Sequence, residues 1–205
     1  MIKGLKICGI SDPKTLNYIL NHPYPPKFIG FITNYEKSIR YVEFNKLKNL
    51  INIDRKQTNF VSVLVNPTDK LLEKIKDLNF DFYQLYDVSP ERTKEIKFKY
   101  NIKIITAITV ASKDDVNKYK DYLKISNIIL FDSKGYHKSE SFDHSLLDKV
   151  PNELNKMIAG NIQIDDIHNL QYKDYIIDLS GALETIEGKK DINKIDKLLK
   201  LFAKL

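Results

Sequence analysis

Short apolar runs, rich in β-branched residues, alternate with stretches of helical periodicity along the whole chain. Turn and capping residues bound each run, which is typical of buried strands. Between the runs, apolar residues recur three and four positions apart, as at Leu72, Ile75 and Leu78 and again over residues 192–202, which predicts amphipathic helices. The eight predicted strands cover residues 5–8, 28–32, 60–65, 82–85, 102–108, 128–131, 157–159 and 175–179.

Helix-start signals follow several of these strands. Ser89 with Pro90 marks one start, and Ser112 with Asp115 has the spacing of a capping box. A helix between two neighbouring strands makes those strands parallel, so eight such units predict a closed (β/α)₈ TIM barrel, with residues 1–205 as a single domain. An open doubly wound sheet is the alternative, but the sequence lacks the G-x-G-x-x-G turn that usually follows its first strand.

Composition agrees with a folded globular chain and argues against several classes of partner. Hydrophobic residues make up 42% of the 205 residues and charged residues 29%, close to the globular average. The net charge of +6 comes from lysines dispersed among acidic residues, without the basic tract of a nucleic-acid-binding protein. No apolar run approaches the roughly 18 residues of a membrane span, and lysines interrupt any N-terminal signal core. We therefore expect no nucleic-acid partner, no membrane segment and a cytoplasmic location.

Cysteine and histidine usage argues against a disulfide framework or a metal site. Cys8 is the only cysteine in the sequence, which excludes an internal disulfide and multi-cysteine zinc patterns. His22, His137, His144 and His168 lack the spacing of metal ligands. We expect neither a metal ion nor a cofactor.

Candidate catalytic residues stand where the predicted strands end, which is where barrels of this kind form their active sites. Cys8 ends the first strand, Asp132 follows the sixth, and Arg40 lies in the loop after the second. Their side chains suit proton transfer and recognition of an anionic group. Each also has a plainer interpretation: packing for Cys8, a turn for Asp132 and a solvated loop charge for Arg40.

Small residues follow the last two predicted strands. Gly160 and Gly181 would let main-chain N–H groups approach an anion, which is a common phosphate arrangement in these barrels. A phosphorylated small molecule is therefore the expected substrate. Lys190 and Asp191, at the start of the last helix, are interpreted as a solvated cap segment.

Ordered motifs along essentially the whole chain resemble those of the phosphoribosylanthranilate isomerase family, (β/α)₈ enzymes of tryptophan biosynthesis. K-I-C-G begins at Lys6, S-x-R-Y-V at Ser38, L-x-D-S at Leu130, D-x-S at Asp178 and G-x-K-D at Gly188. The order of these motifs at successive strand ends makes the resemblance specific.

Several loop positions depart from the family pattern. Tyr86 and Asp87 stand where the family has His and Gly, and Tyr136-His137-Lys138-Ser139 replaces its glycine-rich loop six. Asn161 also replaces a glycine, although asparagine tolerates a left-handed backbone better than most residues. In loop six, Lys138 and the neighbouring hydroxyls could anchor the phosphate side of the substrate instead.

The resemblance implies a cofactor-free Amadori rearrangement of N-(5′-phosphoribosyl)anthranilate to 1-(2-carboxyphenylamino)-1-deoxyribulose 5-phosphate. It assigns Asp132 as general acid for ring opening, Cys8 as general base at C2 and Arg40 as the group that binds the anthranilate carboxylate. A monomer or a homodimer is compatible with this fold. The residues that the resemblance assigns to the phosphate are Gly160, Asn161, Ser180 and Gly181.

Two other functions remain open on the sequence. Tyr86 and the altered loop six fit a related phosphosugar barrel isomerase with a different substrate, although Arg40 favours a substrate carboxylate. A non-catalytic barrel that binds a phosphometabolite is the other alternative, although binding alone requires neither Cys8 nor Asp132.

Overall fold

A closed barrel of eight parallel strands forms the centre of the computed structural model, which describes residues 2–133, 142–170 and 173–205. Neighbours along the chain pair in order, and the first strand pairs with the eighth to close the barrel. This closure confirms the predicted (β/α)₈ barrel and excludes the open doubly wound sheet. The strands are β1 (Gly4–Cys8), β2 (Phe28–Ile32), β3 (Asn59–Val65), β4 (Phe82–Tyr86), β5 (Lys103–Val110), β6 (Ile128–Ser133), β7 (Lys156–Ile158) and β8 (Tyr175–Leu179).

Two of the helices on the outside of the barrel begin at caps that the sequence predicts. The Ser89 hydroxyl accepts a hydrogen bond from the Arg92 N–H, and Ser112 with Asp115 forms the expected capping box. None of the described helices has the length and apolar composition of a membrane span. The α-helices are α1 (Pro13–Asn21), α2 (Phe44–Leu50), α3 (Asp69–Ile75), α4 (Pro90–Lys99), α5 (Lys113–Asn117), α6 (Ile167–Leu170) and α7 (Ile192–Phe202).

The later β/α units differ from the sequence-based prediction. After β6, the described residues hold only a 3₁₀ turn at His144–Leu147, and α6 after β7 is only four residues long. A hairpin of β9 (Glu184–Ile186) and β10 (Lys189–Lys190) separates β8 from α7 and was not predicted. Strands this short carry no periodic signal, and the turn depends on Gly188, whose φ of +82° favours glycine.

Strand alternation divides the core into two layers. Residues that face outward, such as Ile7 and Phe31, pack beneath the helices, whereas Phe28, Leu130 and Met157 belong to a second cluster inside the barrel. The same alternation directs polar side chains of β1, β4, β6 and β8 inward near the C-terminal strand ends. These inward-facing side chains form the candidate site.

Candidate active site

The mouth of the barrel holds the seven residues that the sequence assigned to catalysis and to substrate binding. They line one cavity of about 360 Å³ at the C-terminal strand ends. A smaller adjoining cavity of about 120 Å³ is also lined by Cys8, Asp132 and Arg40. The predicted residues that line the larger cavity are Cys8, Arg40, Asp132, Gly160, Asn161, Ser180 and Gly181.

Cys8 ends β1 beside a buried ion pair. The Lys6 Nζ lies 2.7 Å from the Asp178 Oδ2, and both side chains are almost fully buried. Burial opposes the Lys6 charge, but the Asp178 carboxylate outweighs it and raises the pKa of the ammonium. A Cβ on Gly30 would lie 2.8 Å from the Cys8 Sγ and 3.0 Å from the Lys6 Nζ, so the bare glycine makes room for both groups.

Burial also governs the Cys8 thiol. It raises the pKa of the thiol, and the neighbouring Lys6 ammonium only partly offsets that effect. The thiol is therefore the resting form at neutral pH. Asp178 also lines the cavity, and its buried Oδ1 has no hydrogen-bond partner within the described residues.

Asp132 lies on β6 with both carboxyl oxygens engaged. The Tyr86 hydroxyl donates to Oδ2 at 2.8 Å, and the Ser133 N–H donates to Oδ1 at 2.8 Å. Burial raises the pKa of Asp132 to about 6, and the hydrogen bond from Tyr86 acts in the opposite direction. A carboxyl group with this pKa holds a transferable proton close to neutral pH.

Arg40 reaches the mouth from the loop after β2. Its Nε and Nη2 donate to the two carboxylate oxygens of Glu184, each at 2.7 Å. Burial opposes the Glu184 charge, but Arg40 and Lys190 outweigh it and lower the pKa of Glu184 to about 2. The Glu184 pair occupies one edge of the guanidinium. The Nη1 edge donates to no group within the described residues, so a ligand carboxylate can pair with that edge.

Lys190 corrects the interpretation of a solvated cap segment. Asp191 does cap α7, since its side chain accepts from the Asn193 N–H. Lys190, by contrast, has a side chain only 1% exposed and is paired with Glu184. Its Nζ also donates to the main-chain and side-chain oxygens of Ser180, at 3.1 and 3.2 Å. The β9–β10 hairpin, which was not predicted, brings Lys190 into contact with Ser180 and Glu184.

The loops after β7 and β8 present main-chain N–H groups to the cavity. Gly160 has a φ of +96°, and a Cβ there would lie 2.7 Å from the Ser133 Cβ, so only glycine fits. Asn161 adopts a left-handed conformation, with a φ of +54°, which asparagine tolerates better than most residues. Within the described residues, the N–H groups of Gly160, Asn161 and Gly181 donate no hydrogen bond.

Loop six and metal binding are the two remaining features that the sequence raised. Tyr136, His137, Lys138 and Ser139 lie outside the described residues, so the suggested phosphate anchor at Lys138 stays a prediction. Among the residues that are described, no three His, Cys, Asp or Glu side chains are arranged to hold a metal ion.

Comparisons with known proteins decide the family. The model of the N-(5′-phosphoribosyl)anthranilate (PRA) isomerase family matches residues 5–201. The chain belongs to this family. A PRA isomerase of Rhizobium rhizogenes is 33% identical over 214 residues, covering 99% of this chain and 95% of that protein. The enzyme of Campylobacter jejuni is 34% identical over 208 residues, covering 98% of each.

Solved structures show the same fold as this PRA isomerase family member. The phosphoribosylanthranilate isomerase of Thermotoga maritima superposes with a TM-score of 0.87 at 23% identity, over the full length of both chains. A PRA isomerase in complex with reduced 1-(o-carboxyphenylamino)-1-deoxyribulose 5-phosphate superposes with a TM-score of 0.85 at 22% identity, also over both full chains.

Family membership confirms the function expected from the sequence. The chain is an isomerase of tryptophan biosynthesis that acts on N-(5′-phosphoribosyl)anthranilate. The two alternatives that the sequence left open, a related isomerase with another substrate and a non-catalytic barrel, are therefore disfavoured.

Sequence patterns missed part of the site. They did not pair Lys6 with Asp178, or Arg40 with Glu184, because these contacts join residues 172 and 144 positions apart. For Asp178, the D-x-S motif was the available signal. For Glu184, no local pattern shows that a short hairpin turns it inward.

Proposed function

We propose that Asp132 and Cys8 are the general acid and general base of the Amadori rearrangement of N-(5′-phosphoribosyl)anthranilate. One observation carries this proposal: the two groups line a single cavity at the barrel mouth. The substrate would span that cavity, with its phosphate at the loops after β7 and β8 and its anthranilate group at Arg40.

Ring opening is the acid step. Asp132 donates its proton to the furanose ring oxygen, and the bond between C1 and that oxygen breaks. The nitrogen lone pair forms the C1=N bond, which leaves a cationic Schiff base and an ionised Asp132. The hydrogen bonds from Tyr86 and the Ser133 N–H stabilise this carboxylate.

Loss of the C2 proton is the base step. The Cys8 thiolate takes this proton, and the electrons of the C2–H bond form C1=C2 while the C1=N electrons return to nitrogen. Protonation at C1 and loss of the C2 hydroxyl proton then give the ketone. The thiolate needs support because the buried thiol has a raised pKa. The Lys6 ammonium and the Schiff-base cation supply that support.

Binding groups at the two ends of the cavity would orient the substrate. The Nη1 edge of Arg40 would pair with the anthranilate carboxylate, while its other edge stays with Glu184. The phosphate would accept hydrogen bonds from the N–H groups of the loops after β7 and β8. These loops contribute Gly160, Asn161, Ser180 and Gly181.

Substitution of Arg40 by lysine should weaken binding of the anthranilate group without weakening binding of the phosphate. Lysine keeps the charge but loses the planar fork, so affinity for anthranilate-bearing ligands should fall by about 1–3 kcal/mol. Glu184 keeps its contact with Lys190, which limits the structural damage. Titration calorimetry with a carboxyphenylamino ligand and with inorganic phosphate would measure both affinities.

The matched control is Arg55→Lys, because Arg55 pairs with Asp81 outside the cavity. We expect that variant to bind both ligands like the wild type. Loss of phosphate affinity in the Arg40 variant, with anthranilate affinity unchanged, would assign Arg40 to the phosphate end instead.

The pH dependence of kcat/KM should show an acid-side midpoint near pH 6. The reaction needs Asp132 protonated, with a pKa of about 6, and Cys8 ionised, with a thiol pKa above its ordinary value. Between these two pKa values, the fraction of protonated Asp132 falls with pH as fast as the thiolate fraction rises, so the profile is flat. Below pH 6 only the thiolate fraction changes, and activity falls. A profile that declines steadily from pH 6 to 8 would contradict this pairing.

Turnover tests the proposed function directly. The anthranilate fluorescence of N-(5′-phosphoribosyl)anthranilate should decline when the purified protein is added, with one product formed per substrate consumed. Heat-denatured protein controls for spontaneous breakdown. Absence of turnover at millimolar substrate, together with retained phosphate binding, would support the non-catalytic barrel instead.

We also propose a single-domain unit with a small phosphorylated substrate. β1 and β8 come from opposite ends of the sequence and pair directly, so the barrel requires both ends of the chain. Every proposed site residue belongs to one chain, which is compatible with a monomer or a homodimer. One relative, the enzyme of Thermotoga maritima, is dimeric. The cytoplasmic location stays a prediction.

A further inference from the structure

Three side chains inside the barrel form a hydrogen-bonded chain that ends at Asp132. The Gln84 Nε2 donates to the Tyr86 hydroxyl at 3.1 Å, and that hydroxyl donates to the Asp132 Oδ2 at 2.8 Å. Gln84 and Tyr86 are two positions apart on β4, so both face the barrel interior. Gln84 is 1% exposed and Tyr86 8% exposed. Bulk water therefore has little access to the hydrogen bond between Gln84 and Tyr86.

The direction of the chain follows from the number of hydrogens. A phenol has one hydrogen to donate, and its oxygen can accept. Because Gln84 donates to the phenol oxygen, the single hydrogen of Tyr86 is directed at Asp132. Burial and the Asp132 charge raise the pKa of Tyr86 well above its ordinary value, so the phenol keeps this hydrogen at all relevant pH values.

The Asp132 carboxyl is consequently held at both oxygens. Tyr86 donates to Oδ2 and the Ser133 N–H donates to Oδ1. Two donors on opposite oxygens fix the rotation of the carboxyl about its Cβ–Cγ bond. An acid that transfers a proton to a fixed ring oxygen depends on such an orientation.

We propose that Tyr86 is a positioning residue for Asp132 and that Gln84 directs the Tyr86 hydroxyl toward it. The pair keeps the acid aimed into the cavity and stabilises the carboxylate that proton transfer leaves behind. The inference rests on the proposed role of Asp132 and extends it. It assigns a role to Tyr86, the position where this chain departs from the histidine of its family pattern.

Other groups also change the pKa of Asp132, and they do so in opposite directions. Asp178 on β8 raises the pKa of Asp132, whereas Lys6 on β1 and the hydrogen bonds from Tyr86 and Ser133 lower it. Removal of the Tyr86 hydroxyl leaves the other contributions in place. The pKa of Asp132 should therefore rise when that hydroxyl is removed.

Carbon-13 NMR of protein labelled at its aspartate carboxyl groups tests this inference. Asp132→Asn identifies the Asp132 resonance by its loss. In Tyr86→Phe, the Asp132 pKa should rise by about one pH unit or more, as for loss of a charge-assisted hydrogen bond. We expect kcat to fall about tenfold while KM changes by less than about threefold. The matched control is Tyr83→Phe, the same change on the outward face of β4, which should leave the Asp132 pKa and kcat unchanged.

Gln84→Met provides a second, independent variant, because it keeps the phenol but removes the donor that directs it. The Asp132 pKa should rise by a smaller amount in the same direction. An Asp132 pKa that stays the same or falls in these variants would overturn the inference. So would a Tyr86→Phe variant that raises KM alone, since Tyr86 would then be a substrate contact.

The titration uses no substrate, so its result is independent of turnover. Full activity in Asp132→Asn would instead refute the proposed function.

Discussion

Substitution of Asp132 by asparagine should lower kcat by about 10²–10⁴-fold while KM changes little. Asparagine has nearly the same shape and can still accept a hydrogen bond from Tyr86, but it has no proton to transfer to the ring oxygen. Because the loss is confined to the chemical step, steady-state fluorescence kinetics should show it in kcat.

An exposed carboxylate provides the control for this substitution. Asp165 is 87% exposed in its side chain and pairs with Lys197 at the surface. We expect Asp165→Asn to keep wild-type kinetics. If Asp132→Asn retains more than about a tenth of the wild-type kcat, Asp132 is not the general acid.

Substitution of Cys8 by alanine should lower kcat by a similar factor, about 10²–10⁴. Alanine removes the group that accepts the C2 proton and leaves the Lys6–Asp178 ion pair in place. Cys8→Ser should be almost as slow, because a hydroxyl is much harder to ionise than a thiol at neutral pH. Thermal unfolding would check that both variants keep the fold.

Isotopic substitution identifies the step that Cys8 assists. Substrate carrying deuterium at C2 should react more slowly than the unlabelled form in Cys8→Ser, because C2 proton loss then limits the rate. Turnover of Cys8→Ala above about a tenth of the wild-type rate would remove Cys8 from the mechanism.

Strand patterning was sufficient to place Cys8 and Asp132, the proposed base and acid, at the mouth of the barrel. Cys8 and Asp132 each end or follow an apolar run, and parallel strands align their C-terminal ends at one rim of a barrel. Asn161, which replaces a glycine of the family pattern, has a left-handed backbone, a conformation that asparagine tolerates better than most residues. These inferences depend only on residues that are close together in the sequence and on the general position of active sites in this fold.

Contacts between distant segments could not be predicted in the same way. The partner of Lys6 depends on the register between β1 and β8, which aligns Lys6 with Asp178 across the closure of the barrel. The sequence alone indicates an exposed cap residue at Lys190, whereas the β9–β10 hairpin turns its side chain toward Glu184. The sequence alone shows Tyr86 only as a departure from the family pattern, whereas β4 and β6 bring its hydroxyl into hydrogen-bond contact with Asp132. Each of these roles depends on tertiary packing.

A crystal structure with the reduced product, 1-(o-carboxyphenylamino)-1-deoxyribulose 5-phosphate, tests the central assignment most directly. The Asp132 carboxyl should lie within hydrogen-bond distance of the C4 hydroxyl, which is derived from the ring oxygen. The Cys8 Sγ should lie closest to C2, the phosphate on the N–H groups after β7 and β8, and the carboxylate at Arg40. A ligand bound in the opposite orientation, with its phosphate at Arg40 and its C2 far from Cys8, would contradict the account.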